Sequence, residues 1–350
     1  MMNRTHGGDW AGYEQKYHRQ PLDFSANVSP LGPPAGVKAA LIRAMDQVAR
    51  YPDPQCRQLR ESLGAYHGVA PGQILCGNGA SDLIDRLALA LRPKRALVTA
   101  PAFSEYAAAL CRVGCRVTEY PLQKEESFQV TEGILPWITP ALDVLFLCEP
   151  SNPAGQITDR GLLDKILEKC DACRVLLVAD ECFEDFLTDR SHSLVPVLSQ
   201  HRLLILRAFT KFYGLAGVRL GYCLCQDPPL LEAMSRAGQP WPVSNLAQAA
   251  GVAALGEREY GERLRGLIQT QRAFLQEALK NLGCHVVPGQ ANYLLFFAQD
   301  VHLAQKLEAQ GVLIRSCAND SGLGPGWYRI AVRGEEENRR LLQAMRRCIP

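Results

Sequence analysis

Several absences bound what this chain can be. Nowhere in its 350 residues does an apolar run approach the roughly 20 residues that cross a bilayer. The first residues, Met1-Met2-Asn3-Arg4-Thr5-His6-Gly7-Gly8-Asp9, have no apolar core and do not read as a signal peptide. Excess charge is also missing: 38 basic against 36 acidic side chains leave +2, so nothing calls for a nucleic acid or a membrane surface as partner. Cys170-Asp171-Ala172-Cys173 has metal-ligand spacing, but no second pair or nearby histidine completes a site, so no metal is expected. There is no internal repeat and no low-complexity tract. The expectation is a cytoplasmic protein.

What is present fits that setting. Hydrophobic residues make up 47% and charged residues 21%, as in ordinary globular chains. Thirteen cysteines, an odd and scattered set, read as reduced buried thiols. The length suggests one large domain plus a smaller one.

Along the chain, residues 1–20 are polar and read as irregular. Asp23-Phe24-Ser25-Ala26-Asn27-Val28-Ser29-Pro30-Leu31-Gly32-Pro33-Pro34 is a turn-rich loop, a lid or a linker. The spacing predicts helices over 36–49 and 59–67. A strand over 73–76 then runs through Gly77-Asn78-Gly79-Ala80-Ser81-Asp82 into a helix over 83–91. Free amides and the helix dipole make such a turn an anion site, although many α/β proteins turn this way without a ligand. Further strands are expected over 96–99, 116–120, 143–148, 174–179, 203–206 and 220–225, with helices over 105–113 and 159–169 between them. Continuous apolar strands separated by helices imply a mostly parallel sheet covered on both faces. Polar groups at the carboxyl ends of its strands converge on one crevice. The last third reads as a smaller α+β domain. Helices over 247–255 and 257–282 precede strands over 284–288, 291–297, 312–315 and 327–332, and a helix over 335–347 closes it.

Three strand ends carry chemistry. Asp180 closes one apolar strand, where a carboxylate needs a partner such as a protonated pyridine nitrogen, a helix cap or a salt bridge. Asn152 closes the strand before it, as a donor to a ring oxygen or as a turn residue before Pro153. The third is Arg207-Ala208-Phe209-Thr210-Lys211-Phe212-Tyr213-Gly214, with Arg219 eight positions beyond the lysine. Lys211 there can form a Schiff base with an aldehyde cofactor, or lie solvated on a surface loop. Thr210 and Arg219 could hold that cofactor's phosphate.

The order of glycine turn, Asn-Pro, Asp-Glu, Thr-Lys and downstream arginine resembles the fold-type I pyridoxal-phosphate enzymes of the class I/II aminotransferase family. The resemblance covers nearly the whole chain. It implies an α/β large domain, a mostly parallel sheet sandwiched by helices, plus a smaller α+β domain. The boundaries expected are 1–47 for an N-terminal arm and part of the small domain, 48–240 for the large domain and 241–350 for the C-terminal small domain. It implies pyridoxal 5'-phosphate on Lys211, its pyridine nitrogen on Asp180 and its 3-oxygen on Asn152. Gly79, the Ala80 and Ser81 amides, Thr210 and Arg219 would take its phosphate. Tyr106 would stack on the ring, Tyr51 would reach the phosphate in a neighbouring subunit of a homodimer, and Arg329 would bind a substrate α-carboxylate.

Several stretches are similar to the threonine-phosphate decarboxylase branch of cobalamin biosynthesis, beside the histidinol-phosphate aminotransferases. They include His6-Gly7-Gly8, Pro240-Trp241-Pro242-Val243, Ile314-Arg315-Ser316-Cys317-Ala318-Asn319 and Tyr328-Arg329-Ile330-Ala331-Val332-Arg333. That implies decarboxylation of a small phosphorylated amino acid, L-threonine O-3-phosphate or L-serine O-phosphate. Its phosphate would be clamped by donors drawn from Arg315, Arg333, His6, Ser25 and Asn27. Two departures stand out: Asp9 follows His-Gly-Gly where asparagine is usual, and Phe183 replaces a tyrosine common in aminotransferases. The alternatives are an aminotransferase on histidinol phosphate and a non-enzymatic effector-binding relative.

Overall fold

A computed structural model describes residues 6–348. Thirteen strands run, in chain order, β1 Leu22–Asp23, β2 Ile74–Gly77, β3 Arg95–Ala100, β4 Arg116–Pro121, β5 Val144–Cys148, β6 Leu176–Asp180, β7 Leu203–Ala208, β8 Gly221–Cys225, β9 His285–Val286, β10 Tyr293–Phe297, β11 Val312–Leu313, β12 Arg315–Ser316 and β13 Trp327–Ala331. Seven of them form one sheet in the order β2-β8-β7-β6-β5-β3-β4. Only β8 runs against its neighbours, so the mostly parallel expectation is borne out. The sequence order reverses beside β3, where β4 lies on one side and β5 on the other. Crevices for ligands open at such switch points, beyond the carboxyl ends of the strands.

The strands are apolar throughout because both faces are covered. Val98, Phe146, Val178 and Leu204 project to one face, under the helices Ala80–Leu91, Glu105–Arg112 and Pro228–Arg236. Leu97, Leu145, Leu177 and Ile205 project to the other, on the side of Arg57–His67 and Arg160–Cys173. The smaller domain is a four-stranded antiparallel sheet, β12-β13-β10-β9, backed by the helix Arg258–Asn281, on which the helix Glu335–Cys348 packs in turn. β1 pairs in parallel with β11 and ties the N-terminal arm to that domain. Neither a membrane-length apolar helix nor a metal-binding group of His, Cys, Asp or Glu occurs among the described residues. All thirteen cysteines are free.

Some expectations need correction. The segment read as irregular contains a helix, Trp10–Tyr17, with Asp9 Oδ1 accepting from the Gly12 amide at 3.0 Å. Burial of Tyr13 against the body holds it, a tertiary cause invisible in a polar sequence. The single strand expected over 312–315 is split at Ile314, because β11 pairs with β1 and β12 with β13. Two helices, Pro228–Arg236 and Leu303–Ala309, were not foreseen.

Candidate active site

The carboxyl ends of β5, β6 and β7 lie side by side, Cys148 opposite Asp180 and Asp180 opposite Leu206. Beyond them opens a cavity of about 370 Å³. Its lining includes His6, Ser25, Asn27, Ala80, Ser81, Tyr106, Asn152, Asp180, Thr210, Lys211, Arg219, Arg315 and Arg329, but neither Tyr51, Arg333 nor any residue of Pro240-Trp241-Pro242-Val243.

Lys211 sits on a single helical turn, Phe209–Phe212, directly after β7. The residue is half-buried in the cavity wall, and loss of solvent around its ammonium pulls its pKa down to about 8, with the charges of Arg329 and then Arg219 pushing the same way. No hydrogen bond ties its Nζ to a protein group among the described residues. An unpartnered amine whose neutral fraction is raised far above that of an ordinary lysine suits imine chemistry. Asp180 stands beside it. Its Oδ1 accepts from the Cys182 amide at 3.0 Å and its Oδ2 from the Tyr106 hydroxyl at 2.5 Å. That hydroxyl is kept protonated, because burial and the Asp180 charge push its pKa well above the usual range.

An anion cradle faces these groups. Gly79 caps the helix Ala80–Leu91 at φ +82, and a Cβ there would lie 2.6 Å from Arg219 Nη2. A glycine is needed both for the backbone and for the guanidinium above it. Arg219 is itself in the left-handed region, at φ 60, and donates from Nη1 to the Ala216 carbonyl at 3.2 Å. Ala80, Ser81 and Thr210 complete the lining on this side. Backbone amides at a helix start, a hydroxyl and a guanidinium fit a phosphate.

Asn152 and Arg329 form the opposite wall. Arg329 donates from Nη1 to Asn152 Oδ1 at 2.5 Å and from Nη2 to the Ser25 carbonyl at 3.1 Å. Its Nε is buried without an acceptor, and its guanidinium lies 5.6 Å from the Tyr293 ring centre. Arg315 on β12 is directly opposite Arg329 on β13 and lines the same cavity. The N-terminal arm closes over them. Ser25 Oγ accepts from the Gly8 amide at 2.7 Å, and a Cβ on Gly7 would fall 2.1 Å from the Ser25 carbonyl oxygen. His6 Nε2 meets Glu105 Oε1 at 3.0 Å, and the buried Asn27 Oδ1 has no partner.

Two expected residues are elsewhere. Arg333 leaves the sheet after β13 ends at Ala331. Its Nε donates to Glu337 at 2.8 Å and its Nη1 to the Asp23 carbonyl at 3.1 Å, outside the cavity lining. Tyr51 is 78% exposed and stacks on Trp241 with ring centres 4.4 Å apart, away from its own chain's cavity. Tyr106 does reach the site, but its ring stacks on Phe146 at 5.0 Å behind Asp180. Phe103, three positions earlier and unremarked in the sequence reading, lines the cavity, as do Cys182 and Asp320. Phe183 packs edge-on against Tyr293, so no hydroxyl occupies that position.

The comparisons agree with this geometry. The family described as "Aminotransferase class I and II" matches residues 19–345, and the chain belongs to it. The chain is 38% identical over 355 residues to a threonine-phosphate decarboxylase of Salmonella typhimurium, covering 100% of this chain and 98% of the relative. It is 35% identical over 335 residues to histidinol-phosphate aminotransferase 2 of Ralstonia nicotianae, covering 93% and 87%. Among solved structures, the histidinol-phosphate aminotransferase of Clostridium acetobutylicum superposes with a TM-score of 0.87 at 26% identity, covering 93% of this chain and 98% of that one.

Proposed function

We propose that this chain is a pyridoxal-phosphate-dependent decarboxylase of a small phosphorylated amino acid, L-threonine O-3-phosphate first and L-serine O-phosphate second. The observation that carries this reading is the 38% identity to a threonine-phosphate decarboxylase across essentially both full lengths. The paired arginines Arg329 and Arg315 support it, since two cations facing one cavity suit a substrate with an anion at each end.

The residues present fit the cofactor. Gly79, the Ala80 and Ser81 amides, Thr210 and Arg219 would hold its phosphate, Lys211 its aldehyde carbon, Asp180 its pyridine nitrogen and Asn152 its 3-oxygen. Phe103 is placed to cover one ring face, with Tyr106 buttressing Asp180 from behind. Tyr51 would reach the phosphate of a neighbouring subunit. When bound, pyridoxal phosphate supplies an electron sink for the pair released at the α-carbon.

The chain's own groups do the rest. Asp180, fixed by the Cys182 amide and the Tyr106 hydroxyl, would keep a proton on the pyridine nitrogen. Arg329, positioned by Asn152 and the Ser25 carbonyl, holds the α-carboxylate. Arg315, with His6, Ser25 and Asn27 nearby, takes the substrate phosphate. Fixing both ends sets the rotation about the α-carbon, which selects the bond that breaks. Lys211 Nζ then delivers a proton to that carbon.

We place the protein in the cytoplasm, where thirteen unpaired cysteines are at home, and as a two-fold dimer completed through the exposed Tyr51–Trp241 surface. The test is incubation with O-phospho-L-threonine and detection of carbon dioxide with the phosphoamine. Amino transfer to 2-oxoglutarate without carbon dioxide would replace this reading with the aminotransferase one.

A further inference from the structure

Four cations line the cavity: Lys211, Arg219, Arg315 and Arg329. On the proposed function, on which this inference rests, three of them are taken by the cofactor aldehyde, the cofactor phosphate and the α-carboxylate. Arg315 remains for the second substrate anion. The acids lining the same cavity are Glu105, Asp180 and Asp320. Glu105 meets His6, and Asp180 belongs to the cofactor. Asp320 is the acid left over, and it is on Arg315.

The contact is close and little exposed. Arg315 donates from Nη2 to Asp320 Oδ1 at 3.1 Å and to Asn319 Oδ1 at 3.0 Å. Both side chains are 11% exposed. Both bonds use the same nitrogen, so among the described residues Nε and Nη1 of Arg315 have no protein acceptor. The register explains why an acid is needed at all. Arg315 and Arg329 are direct cross-strand neighbours, and like charges so placed repel. A carboxylate beside them relieves that repulsion.

The segment carrying Asp320 is anchored at both ends. Cys317 donates its amide to the Trp327 carbonyl at 2.9 Å, and Leu323 donates to the Asp320 carbonyl at 3.0 Å. Ser321 Oγ donates to Glu119 on β4 of the large sheet. Gly322 lies against Ala100, where a Cβ would be 2.9 Å from backbone carbon. The turn is therefore held to both sheets while its aspartate points into the cavity.

We infer that Asp320 is an internal competitor for Arg315: its carboxylate occupies the guanidinium that the substrate phosphate must take. The exchange makes entry at this end selective. A phosphate offers several strong acceptor oxygens to the fork and to Nε and Nη1, and displaces a carboxylate. A hydroxyl or an apolar end cannot. Asp320 thereby sets how strongly the cavity discriminates for a phosphorylated end, at a cost in affinity for that end.

The test is calorimetric binding to the cofactor-loaded enzyme, with inorganic phosphate, O-phospho-L-threonine and L-threonine as probes. Asp320→Asn keeps an acceptor for Arg315 but removes the charge. It should tighten both phosphate-bearing probes by about tenfold, because a close, shielded ion pair outweighs a solvated one. Threonine should bind as in the wild type. In an Arg315→Gln background, the same substitution should change phosphate binding far less. Unchanged or weaker phosphate binding overturns the inference, and so does equal tightening of threonine. Asp320→Ala gives the same reading if the asparagine variant does not fold. Failure of both to fold also overturns it, making Asp320 a structural counter-ion. Carbon dioxide release separates the two claims. Tightening without decarboxylation by the wild type leaves this inference standing and removes the proposed reaction. Decarboxylation without tightening does the reverse.

Discussion

Lys211 is an amine whose surroundings push its proton off. Burial, then Arg329, bring its pKa from 10.5 down to about 8. About one lysine in a hundred is then neutral at pH 6, about one in ten at pH 7 and about half at pH 8. Apo-protein exposed briefly to pyridoxal 5'-phosphate and quenched with borohydride should gain covalent adduct at a rate climbing about tenfold per pH unit below 8, then level off. Intact-protein mass gives the yield and peptide mass the position. Arg329→Met removes the neighbouring cation, so the midpoint should move upward, and the ratio of variant to wild type cancels any titration of the reagent. The same shift acts on stability. The folded state prefers the neutral amine, so the unfolded chain binds more protons between pH 8 and 10.5. Apo-protein stability from this group is therefore present at high pH and lost as pH falls through that window. A shift of this size is worth roughly 3 kcal/mol. Lys211→Met should flatten the rise. A trapping rate still climbing tenfold per unit between pH 8 and 10 would refute the argument, as would a midpoint indifferent to Arg329.

Asp180→Asn should still accept the cofactor on Lys211, as judged by borohydride trapping, yet lower turnover by orders of magnitude, because a neutral amide cannot hold a protonated pyridine nitrogen. Near-normal turnover would take Asp180 out of that role. Arg207 is buried and paired with Glu184 at 2.5 Å and Glu181 at 3.2 Å. Arg207→Ala strands those carboxylates and should cost about 3–5 kcal/mol in urea unfolding. Glu181, pushed by burial up to about 7, can protonate instead. An acid raised in the folded state contributes most below its unfolded pKa and loses that contribution as pH rises. Removing Arg207 takes away a cation that holds the Glu181 pKa down, so the defect should be milder near pH 5 and grow from about pH 7 upward, and a pH-independent loss would contradict this account.

The legible parts of the site were those set by position along a strand. A strand of buried apolar residues ends where polarity returns, so Asn152, Asp180 and Lys211 announce their places one element at a time. Glycine at 79 is legible for a similar local reason. Contacts made across strands are different. Nothing in the spacing of Arg315 and Arg329 says that β12 and β13 pair in the register that sets them opposite. Arg333 shares a stretch with Arg329, yet the strand stops at Ala331 and the later side chain turns to Glu337. Asp320 lies in a turn whose direction depends on Gly322 meeting Ala100, a contact between residues far apart in the chain. The Trp10–Tyr17 helix was missed because its sequence is polar, and only packing of Tyr13 selects it.

The pairing of β1 with β11 has a bearing on the order of assembly. The Ala331 amide donates to the Phe24 carbonyl at 2.8 Å, and Arg329 reaches Ser25 across 304 positions of chain. The proposed cofactor cradle, apart from Tyr51 of a neighbouring subunit, draws instead on residues between Gly79 and Arg219. During synthesis this part of the proposed cradle emerges before the segment bearing Arg329 has left the ribosome. Closing so long a loop also carries more entropy than closing the cradle, though the increment grows only logarithmically. The proposed carboxylate clamp is thus the part of the site that waits longest for its residues. It also depends on the N-terminal arm through Ser25, so on the proposed function a chain would be able to hold its cofactor before it could hold its substrate.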